Sequence, residues 1–199
     1  MPLVLEDLTV DLVTDRGVFS GDRVDAGTRL LLVDGARPAT GPGHLLDLGC
    51  GYGPIAVALA MRAPEATVWA VDVNERAVGL CVDSAARLGL GNVRGLVVPA
   101  EEPLAGIPDD VRLTGIWSNP PIRIGKAALH RLLGAALDRL AVGGSAHLVV
   151  QRHLGADSLQ RWLVERGWPT ERRASRAGYR LLDVGPRPDG PVTPPEPAP

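Results

Sequence analysis

The 199-residue sequence predicts an α/β protein in which a mostly parallel sheet is covered by helices on both faces. Three observations support this prediction. Apolar runs of β-type residues alternate with segments of helical spacing, a glycine-rich loop follows the first run, and an acid or an Asn-Pro-Pro sequence closes two later runs. Such alternation is typical of parallel strands that the connecting helices bury on both sides.

The predicted elements of this sheet begin at residue 44. Strands are expected at His44–Leu48, Thr67–Val73, Val93–Val98, Leu113–Ser118, Ala146–Val150 and Gly178–Val184. Helices are expected at Ile55–Arg62, Glu75–Arg87, Lys126–Leu140 and Ser158–Arg166. Leucines at helical spacing make the third helix amphipathic, and Gly143-Gly144 is predicted to stop it. The last strand is expected to pair antiparallel with a partner near Thr170–Ala174.

Composition divides the chain into three segments. Residues 1–36 contain short alternating apolar runs and are predicted to form a small β-rich or helical lead-in. Residues 37–184 hold the predicted sheet, after a linker that extends to residue 43. Residues 185–199 are dominated by proline and cannot bury a core, so we predict a disordered tail.

The charge and cysteine content indicate an ordinary soluble protein. The net charge of -2 gives no global attraction to nucleic acid or to a membrane, and neither a signal peptide nor a membrane-spanning run is present. Cys50 and Cys81 lack metal-type spacing, so no disulfide or metal site is predicted and a cytoplasmic location is expected. Residues 151–180 hold seven arginines, which either follow phosphates or form a solvated surface.

The glycine-rich loop Asp47–Pro54 lies between the first strand and the first helix. Its glycines allow a ligand to approach the backbone, and the helix N-terminus offers free N–H groups. The G-x-G-x-G pattern differs from the G-x-G-x-x-G of dinucleotide-binding folds. A carboxylate at Asp47 would repel a pyrophosphate but attract the cationic amino-acid end of S-adenosylmethionine, so the loop favours that cofactor.

A second acid, Asp72, ends the next strand about 20 residues after the loop. Its carboxylate can accept hydrogen bonds from both ribose hydroxyls. Because enzymes that bind NAD place an acid at the same point, Asp72 indicates a nucleoside without choosing between cofactors. A tight turn followed by a solvent-facing acid is the structural alternative for the two features.

The sequence Asn119-Pro120-Pro121 follows the fourth strand, at the edge where α/β sheets bind ligands. An amine attached to a purine ring is a poor nucleophile because its lone pair is delocalised into the ring. If the Asn119 side-chain oxygen and the Pro120 carbonyl each accept one N–H, that lone pair can point at a methyl carbon. The prolines stiffen the loop and are expected to leave its carbonyls without competing N–H partners. Asn119 and Pro120 are therefore the predicted catalytic residues.

The order DLGCGYGP, AVDVN and SNPPIRIGK resembles the class I methyltransferases, which use S-adenosylmethionine. With Gly17–Ser20 and Asp25–Leu32, it more narrowly resembles the small-domain group that methylates the exocyclic amine of guanine in small-subunit ribosomal RNA. The resemblance runs from about residue 15 to residue 184. It implies a Rossmann-like, seven-stranded sheet whose last strand is antiparallel, with the lead-in packed over the cofactor.

The resemblance also implies the site residues. The predicted cofactor-binding residues are Asp47, Gly49, Cys50, Gly51, Asp72, Val73, Ala100, Glu101 and Asn119. The predicted substrate-binding residues are Pro121, Ile122, Arg123 and Lys126. Arg123 and Lys126 either neutralise phosphates beside the target nucleotide or are ordinary surface charges. Ribosomal RNA or the small ribosomal subunit is the expected partner.

Two departures from the family pattern keep alternatives open. Many members carry an aromatic residue where this chain has Ile122, and larger members carry a second domain that helps to bind RNA. Recognition is therefore expected to use the compact domain or an assembled ribonucleoprotein. The alternatives are methylation of adenine N6 or of a protein glutamine, a nicotinamide-dependent oxidoreductase, and a non-catalytic assembly factor that binds ribosomal RNA.

Overall fold

The computed structural model describes residues 1–15 and 23–188, so the motif Gly17–Ser20 and most of the predicted tail lie outside the described residues. The strands are β1 Pro2–Val4, β2 Thr9–Asp11, β3 His44–Leu48, β4 Thr67–Asp72, β5 Val93–Val97, β6 Leu113–Ser118, β7 Leu140–Gln151, β8 Thr170–Arg176 and β9 Tyr179–Val184. The α-helices are α1 Ala26–Asp34, α2 Pro54–Arg62, α3 Glu75–Arg87, α4 Lys126–Leu137 and α5 Ala156–Glu165. Short 3-10 turns follow β6 at Ile122–Ile124 and β7 at Arg152–Leu154.

Seven of these strands form one sheet, in the order β5-β4-β3-β6-β7-β9-β8. Neighbours are parallel except at β9, which runs antiparallel to both β7 and β8. The predicted sheet, with its antiparallel last strand, is confirmed. The chain order reverses between β3 and β6, and in such sheets the crevice for a ligand opens at the carboxyl ends of the strands on either side of that reversal.

Helices cover both faces of the sheet. On one face α1, α2 and α3 pack against strand residues such as Leu45 and Val68, and on the other α4 and α5 pack against residues such as Leu46 and Leu148. Successive strand residues point to opposite faces. Four successive residues of β3 are therefore buried, which explains why its sequence is a continuous apolar run rather than an alternating one.

The lead-in contains both of the predicted structure types. β1 and β2 form an antiparallel pair, and Leu3 and Val10 from that pair are buried in the first core. α1 begins after Asp25, whose carboxylate accepts hydrogen bonds from the Gly27 and Thr28 backbone N–H groups. This acid is a favourable N-cap, and it fixes where the helix starts.

The prediction that a helix runs from Lys126 to Leu140 is wrong at its end. α4 ends at Leu137, and Leu140 already pairs with Leu113 as the first residue of β7. The register of β6 and β7 then shifts before Gly115 pairs with Ser145. Gly143 and Gly144 therefore lie in an irregular part of β7 instead of stopping a helix. The predicted strand Ala146–Val150 therefore begins six residues too late, and the other helix and strand ends differ from the predictions by at most two residues.

Residues 185–188 differ from the predicted disordered tail. The Gly185 backbone N–H donates to the Pro169 carbonyl at 2.8 Å. The Arg187 guanidinium lies 3.7 Å from the centre of the Trp168 ring and donates to Asp138 at 2.7 Å. These contacts hold the residues against the sheet domain. Within the described ranges, no helix is long and apolar enough to cross a membrane.

Candidate functional site

The loop between β3 and α2 adopts the glycine-dependent conformation that its sequence predicts. Gly49, Gly51 and Gly53 have φ angles of 76°, 54° and 91°. A Cβ atom at Gly51 would point into open space, and one at Gly49 would lie 3.7 Å from Pro121 Cδ. The glycines therefore keep open the space between this loop and the Asn-Pro-Pro loop, as a bound cofactor needs.

Asp47 lies beneath this loop and is fully buried. Its Oδ2 accepts a hydrogen bond from the Ala56 backbone N–H at 2.8 Å, which joins the end of β3 to α2. Burial raises the pKa of Asp47 to about 8, and the nearby charge of Asp72 adds to the increase. The carboxyl group is therefore mostly neutral at pH 7. Burial thus disfavours the charge on which the predicted attraction between Asp47 and the cationic end of S-adenosylmethionine depends.

Asp72 connects the second strand to the same loop. Its Oδ2 accepts from the Gly51 backbone N–H at 2.9 Å, and its Oδ1 accepts from the Asn74 backbone N–H at 2.9 Å. Each carboxylate oxygen has a further lone pair, so Asp72 retains the capacity to accept two hydroxyl hydrogen bonds. The chemistry of this donor and acceptor set fits a ribose beside Gly51.

Asn119 occupies the opposite side of the cleft, directly after β6. Its side-chain Nδ2 donates to Asp25 Oδ2 at 2.8 Å and to Thr28 Oγ1 at 3.1 Å. These contacts use both N–H bonds of the amide. The described part of the chain gives the Asn119 Oδ1 atom no hydrogen-bond partner, so this oxygen is available as an acceptor.

The Pro120 carbonyl is not free of backbone partners, and the corresponding prediction is wrong. The Ile122 backbone N–H donates to it at 2.8 Å. The cause is the conformation of Pro121, whose φ of -73° and ψ of 77° form an inverse γ-turn that brings the N–H of Ile122 back. A carbonyl oxygen has two lone pairs, so one acceptor site remains.

These residues line one cleft at the carboxyl edge of the sheet. Its lining residues are Asp25, Thr28, Gly49, Cys50, Gly51, Tyr52, Pro54, Ile55 and Asn119. A hydrogen bond with Cys81 and burial raise the pKa of the Cys50 thiol, which therefore stays protonated. Four of the predicted site residues thus meet in the cleft, and Asp72 reaches it through Gly51.

The remaining predicted cofactor residues are less closely connected to the cleft. Val73 follows β4 and is 62% exposed. Ala100 and Glu101 follow β5 and are also exposed. All three lie after strands that end at the edge bearing the cleft. Their contact with a cofactor stays a prediction.

Asp25, Thr28 and Tyr179 were not among the predicted site residues. Asp25 and Thr28 stand where an acid precedes a helix, which is the pattern of an N-cap. The ring of Tyr179 packs on Gly27, where an added Cβ atom would lie 2.8 Å from Cε1. Burial raises the pKa of Tyr179, and the charge of Asp25 adds to this. An aromatic side chain from β9 therefore lies beside the start of α1, whereas the position after the two prolines is held by Ile122.

The basic residues fall into two groups. Arg123 and Lys126 are exposed beside Pro121 and take part in no ion pair within the described residues. The four arginines on β8 and β9 are all paired instead: Arg172 and Arg180 with Asp157, Arg173 with Asp183, and Arg176 with Asp34. The described ranges contain no cluster of three or more metal-binding side chains.

Known proteins resemble this chain along most of its length. Residues 9–183 match the family model described as methyltransferase small domain. The Bacillus subtilis protein YbxB is 37% identical over 145 residues, which cover 73% of this chain and 70% of that protein. Ribosomal RNA small subunit methyltransferase C of Pseudomonas aeruginosa is 37% identical over 167 residues, which cover 77% of this chain and 48% of the relative.

Two further matches extend the comparison. Ribosomal RNA large subunit methyltransferase G of Pseudomonas putida is 33% identical over 158 residues, which cover 77% of this chain and 41% of the relative. The chain thus spans about half the length of these two relatives. The structure of the T. thermophilus 16S rRNA N2 G1207 methyltransferase with AdoMet and guanosine shares the fold. Its TM-score is 0.80 at 24% identity, and the match covers 94% of this chain and 50% of that one.

The family match spans the glycine loop, Asp72 and the Asn-Pro-Pro loop together. Together with the shared fold, it confirms the predicted Rossmann-like methyltransferase fold and S-adenosylmethionine as the cofactor. The alternative of a nicotinamide-dependent oxidoreductase is not supported. The chain belongs to the methyltransferase small-domain family.

Proposed function

We propose that this chain methylates the exocyclic amine of a guanine in ribosomal RNA, with S-adenosylmethionine as the methyl donor. The observation that carries the proposal is the orientation of the Asn119 amide. Both of its N–H bonds are held by Asp25 and Thr28, so its oxygen is left to accept a hydrogen bond from a substrate. An acceptor in this place suits an amine that must present its lone pair to a methyl group.

Two loops of the chain have separate roles: one would bind the cofactor and the other would bind the target amine. S-adenosylmethionine supplies, when bound, an electrophilic methyl group on a positively charged sulfur. The glycine loop and Asp72 would hold it, with the ribose on Asp72. Asn119 Oδ1 and the remaining lone pair of the Pro120 carbonyl would each accept one N–H of the target amine. The target nitrogen would form a bond to the methyl carbon as the S–CH3 bond breaks, S-adenosylhomocysteine would leave, and the methylated nitrogen would then lose one N–H proton to solvent. Catalysis thus consists of positioning and electrostatic stabilisation, with no general base required for the displacement.

The proposed RNA substrate belongs to one of the two ribosomal subunits. The relatives include enzymes named for the small and for the large ribosomal subunit, so both subunits are candidate substrates. Arg123 and Lys126 lie exposed beside Pro121 and would contact phosphates near the target nucleotide. A ribosomal substrate would place the reaction in the cytoplasm.

The test is a transfer assay with labelled S-adenosylmethionine. The protein is incubated separately with small subunits, large subunits and protein-free ribosomal RNA from a strain that lacks the gene. Nucleosides are then identified by mass spectrometry. The proposal predicts N2-methylguanosine at one position. Label in N6-methyladenosine or in protein glutamine would support the adenine or glutamine alternative.

The assembly-factor alternative needs its own control. Asn119→Ala is expected to bind the cofactor and RNA as the wild type does, and to transfer the methyl group about 10²- to 10³-fold more slowly. If the wild-type chain binds ribosomal RNA but leaves every substrate unlabelled, the chain is a binding protein and the proposed reaction is wrong.

A further inference from the structure

We infer that Asp25 and Thr28 are positioning residues, which fix the Asn119 amide so that its oxygen and not its nitrogen faces the target amine. This inference rests on the proposed function, because it explains how that function obtains its hydrogen-bond acceptor. It adds two residues of the lead-in, about 90 residues away along the chain, to the machinery for methyl transfer.

The side-chain amide of Asn119 has two chemically different ends, an oxygen that accepts hydrogen bonds and an NH2 group that donates them. An asparagine side chain rotated by a half turn exchanges its oxygen and its NH2 group at almost no steric cost. A rotated Asn119 would present N–H groups to an amine that also needs to donate, and the pair would repel. The catalytic geometry therefore requires a partner that distinguishes the two rotamers.

Asp25 supplies that distinction. An ionised carboxylate accepts hydrogen bonds and cannot donate them. Its Oδ2 lies 2.8 Å from Asn119 Nδ2, so the rotated amide would place two acceptor oxygens at hydrogen-bond distance. Hydrogen bonds to a charged acceptor are also shorter and stronger than neutral ones. The rotamer with the oxygen free is therefore strongly favoured.

Asp25 is itself held in place by the start of α1. The same Oδ2 atom accepts from the Gly27 backbone N–H at 2.8 Å and from the Thr28 backbone N–H at 3.2 Å. The buried Thr28 side chain then accepts the second N–H of Asn119 at 3.1 Å. The helix N-terminus thus orients the carboxylate, and the carboxylate orients the amide.

The packing around α1 keeps this geometry rigid. Gly27 is in close contact with the Tyr179 ring, and an added Cβ atom would lie 2.8 Å from it. Leu31 and Leu32 of the same helix are almost fully buried. Because α1 cannot shift without disturbing these contacts, Asp25 stays at one distance from Asn119.

Three variants separate positioning from folding. Asp25→Ser keeps a good helix cap, but its shorter side chain cannot reach Asn119. We expect kcat to fall about ten- to a hundredfold, the loss expected for a hydrogen bond to a charged group, with the affinity for S-adenosylmethionine nearly unchanged. Thr28→Val keeps the size of the side chain and should lower kcat about tenfold. Thr28→Ser should recover most of that loss because it restores the oxygen.

A double-mutant cycle gives the decisive kinetic readout. If Asp25 acts through Asn119, then Asp25→Ser should lower kcat in the wild type and have little further effect in Asn119→Ala. A purely structural role would cost the same factor in both backgrounds. An additive loss, or a wild-type kcat in Asp25→Ser, would overturn the inference.

NMR tests the orientation without any reaction. The side-chain amides of the chain belong to Asn74, Asn92, Asn119, Gln151 and Gln160. In 15N-labelled protein, the Asn119 signal is assigned by its loss in Asn119→Ala. We expect both of its NH2 protons to exchange slowly in the wild type and faster in Asp25→Ser. An unchanged signal would contradict the inference. If the wild type methylates no RNA, the proposed function fails, whereas this measurement still decides the role of Asp25.

Discussion

Among the individual residues, Asn119 is distinguished by a side-chain oxygen that has no hydrogen-bond partner in the described chain. Asn119→Ala removes this acceptor and leaves the glycine loop intact. We expect kcat to fall about 10²- to 10³-fold, as for the loss of one group that stabilises a transition state. The affinity for S-adenosylhomocysteine, measured by calorimetry, should stay nearly unchanged.

Asn92 provides a matched control for that variant. Its amide donates to the carbonyls of Ala60, Ala63 and Ala66, far from the cleft. Asn92→Ala should lower the melting temperature while kcat, measured well below melting, stays at the wild-type value. If Asn119→Ala instead loses cofactor affinity and kcat by the same factor, Asn119 has a structural role.

The raised pKa of Asp47 predicts that the stability of the folded chain decreases as the pH rises. Its pKa in the folded chain is about 8, against an ordinary value of 3.8 that applies in the unfolded chain. The unfolded chain therefore releases this proton near the lower value and the folded chain near the upper one. Between these values the folded state binds more protons, so the free energy of unfolding falls as pH rises.

The variant Asp47→Asn cannot ionise, so its stability should fall less steeply over this range. Urea unfolding of both proteins, between about pH 5 and pH 9, measures the difference in slope. The comparison of slopes remains informative even if the variant is less stable at every pH. Parallel curves for the two proteins would show that the pKa of Asp47 is not raised.

Asp72 is the residue that we expect to recognise the ribose. Asp72→Ala should weaken cofactor binding by about 1–3 kcal/mol, the scale of a charge-assisted hydrogen bond. A cofactor analogue without the ribose hydroxyls should bind the wild type more weakly and should bind the variant with no further loss. If the analogue loses the same affinity in both proteins, Asp72 does not contact the ribose.

At the scale of elements, the glycine loop must fit closely against α3. A Cβ atom at Gly53 would lie 2.4 Å from Cys81 Sγ. Gly53→Ala should therefore destabilise the fold by about 1–3 kcal/mol through overpacking, in addition to the strain of its positive φ. Gly89→Ala is the control, since Gly89 also has a positive φ but no atom within 4 Å of an added Cβ. Equal losses in urea unfolding would exclude overpacking.

The loop after β6 is the element that we expect to contact RNA. Replacing Arg123 and Lys126 by alanine should weaken RNA binding and flatten its dependence on salt, because fewer counterions are released from the phosphates. Filter binding between about 50 and 300 mM salt measures this slope. Arg112→Ala is the control, because Arg112 precedes β6 and is exposed at the opposite edge of the sheet. If all variants keep the wild-type slope, these residues do not contact phosphates.

At the scale of the whole molecule, the sequence predicts the central sheet because each of its strands carries a local signal. β3 and β6 are apolar runs closed by a glycine loop or by Asn-Pro-Pro, and α3 has the predicted bounds. Asp72 and Asn119 each follow a parallel strand. The sequence therefore also predicts that both lie at the carboxyl edge of the sheet, where the ends of such strands meet.

The remaining features depend on contacts between distant parts of the chain. Leu140 could join a helix by its spacing, and only its pairing with Leu113 makes it a strand residue. No local pattern shows that Asp25 reaches Asn119, and none shows that Asp47 is too deeply buried to stay charged. Tertiary packing decides these features.

We propose that one cleft places a sulfonium cofactor against the oxygen of Asn119. A crystal structure with bound S-adenosylhomocysteine and guanosine tests it most directly. We predict that the cofactor lies between Gly51 and Asn119 with its ribose on Asp72, and that the guanosine amine lies within hydrogen-bond distance of Asn119 Oδ1. A cofactor bound elsewhere, or an Asn119 amide whose nitrogen faces the guanosine, would contradict the account.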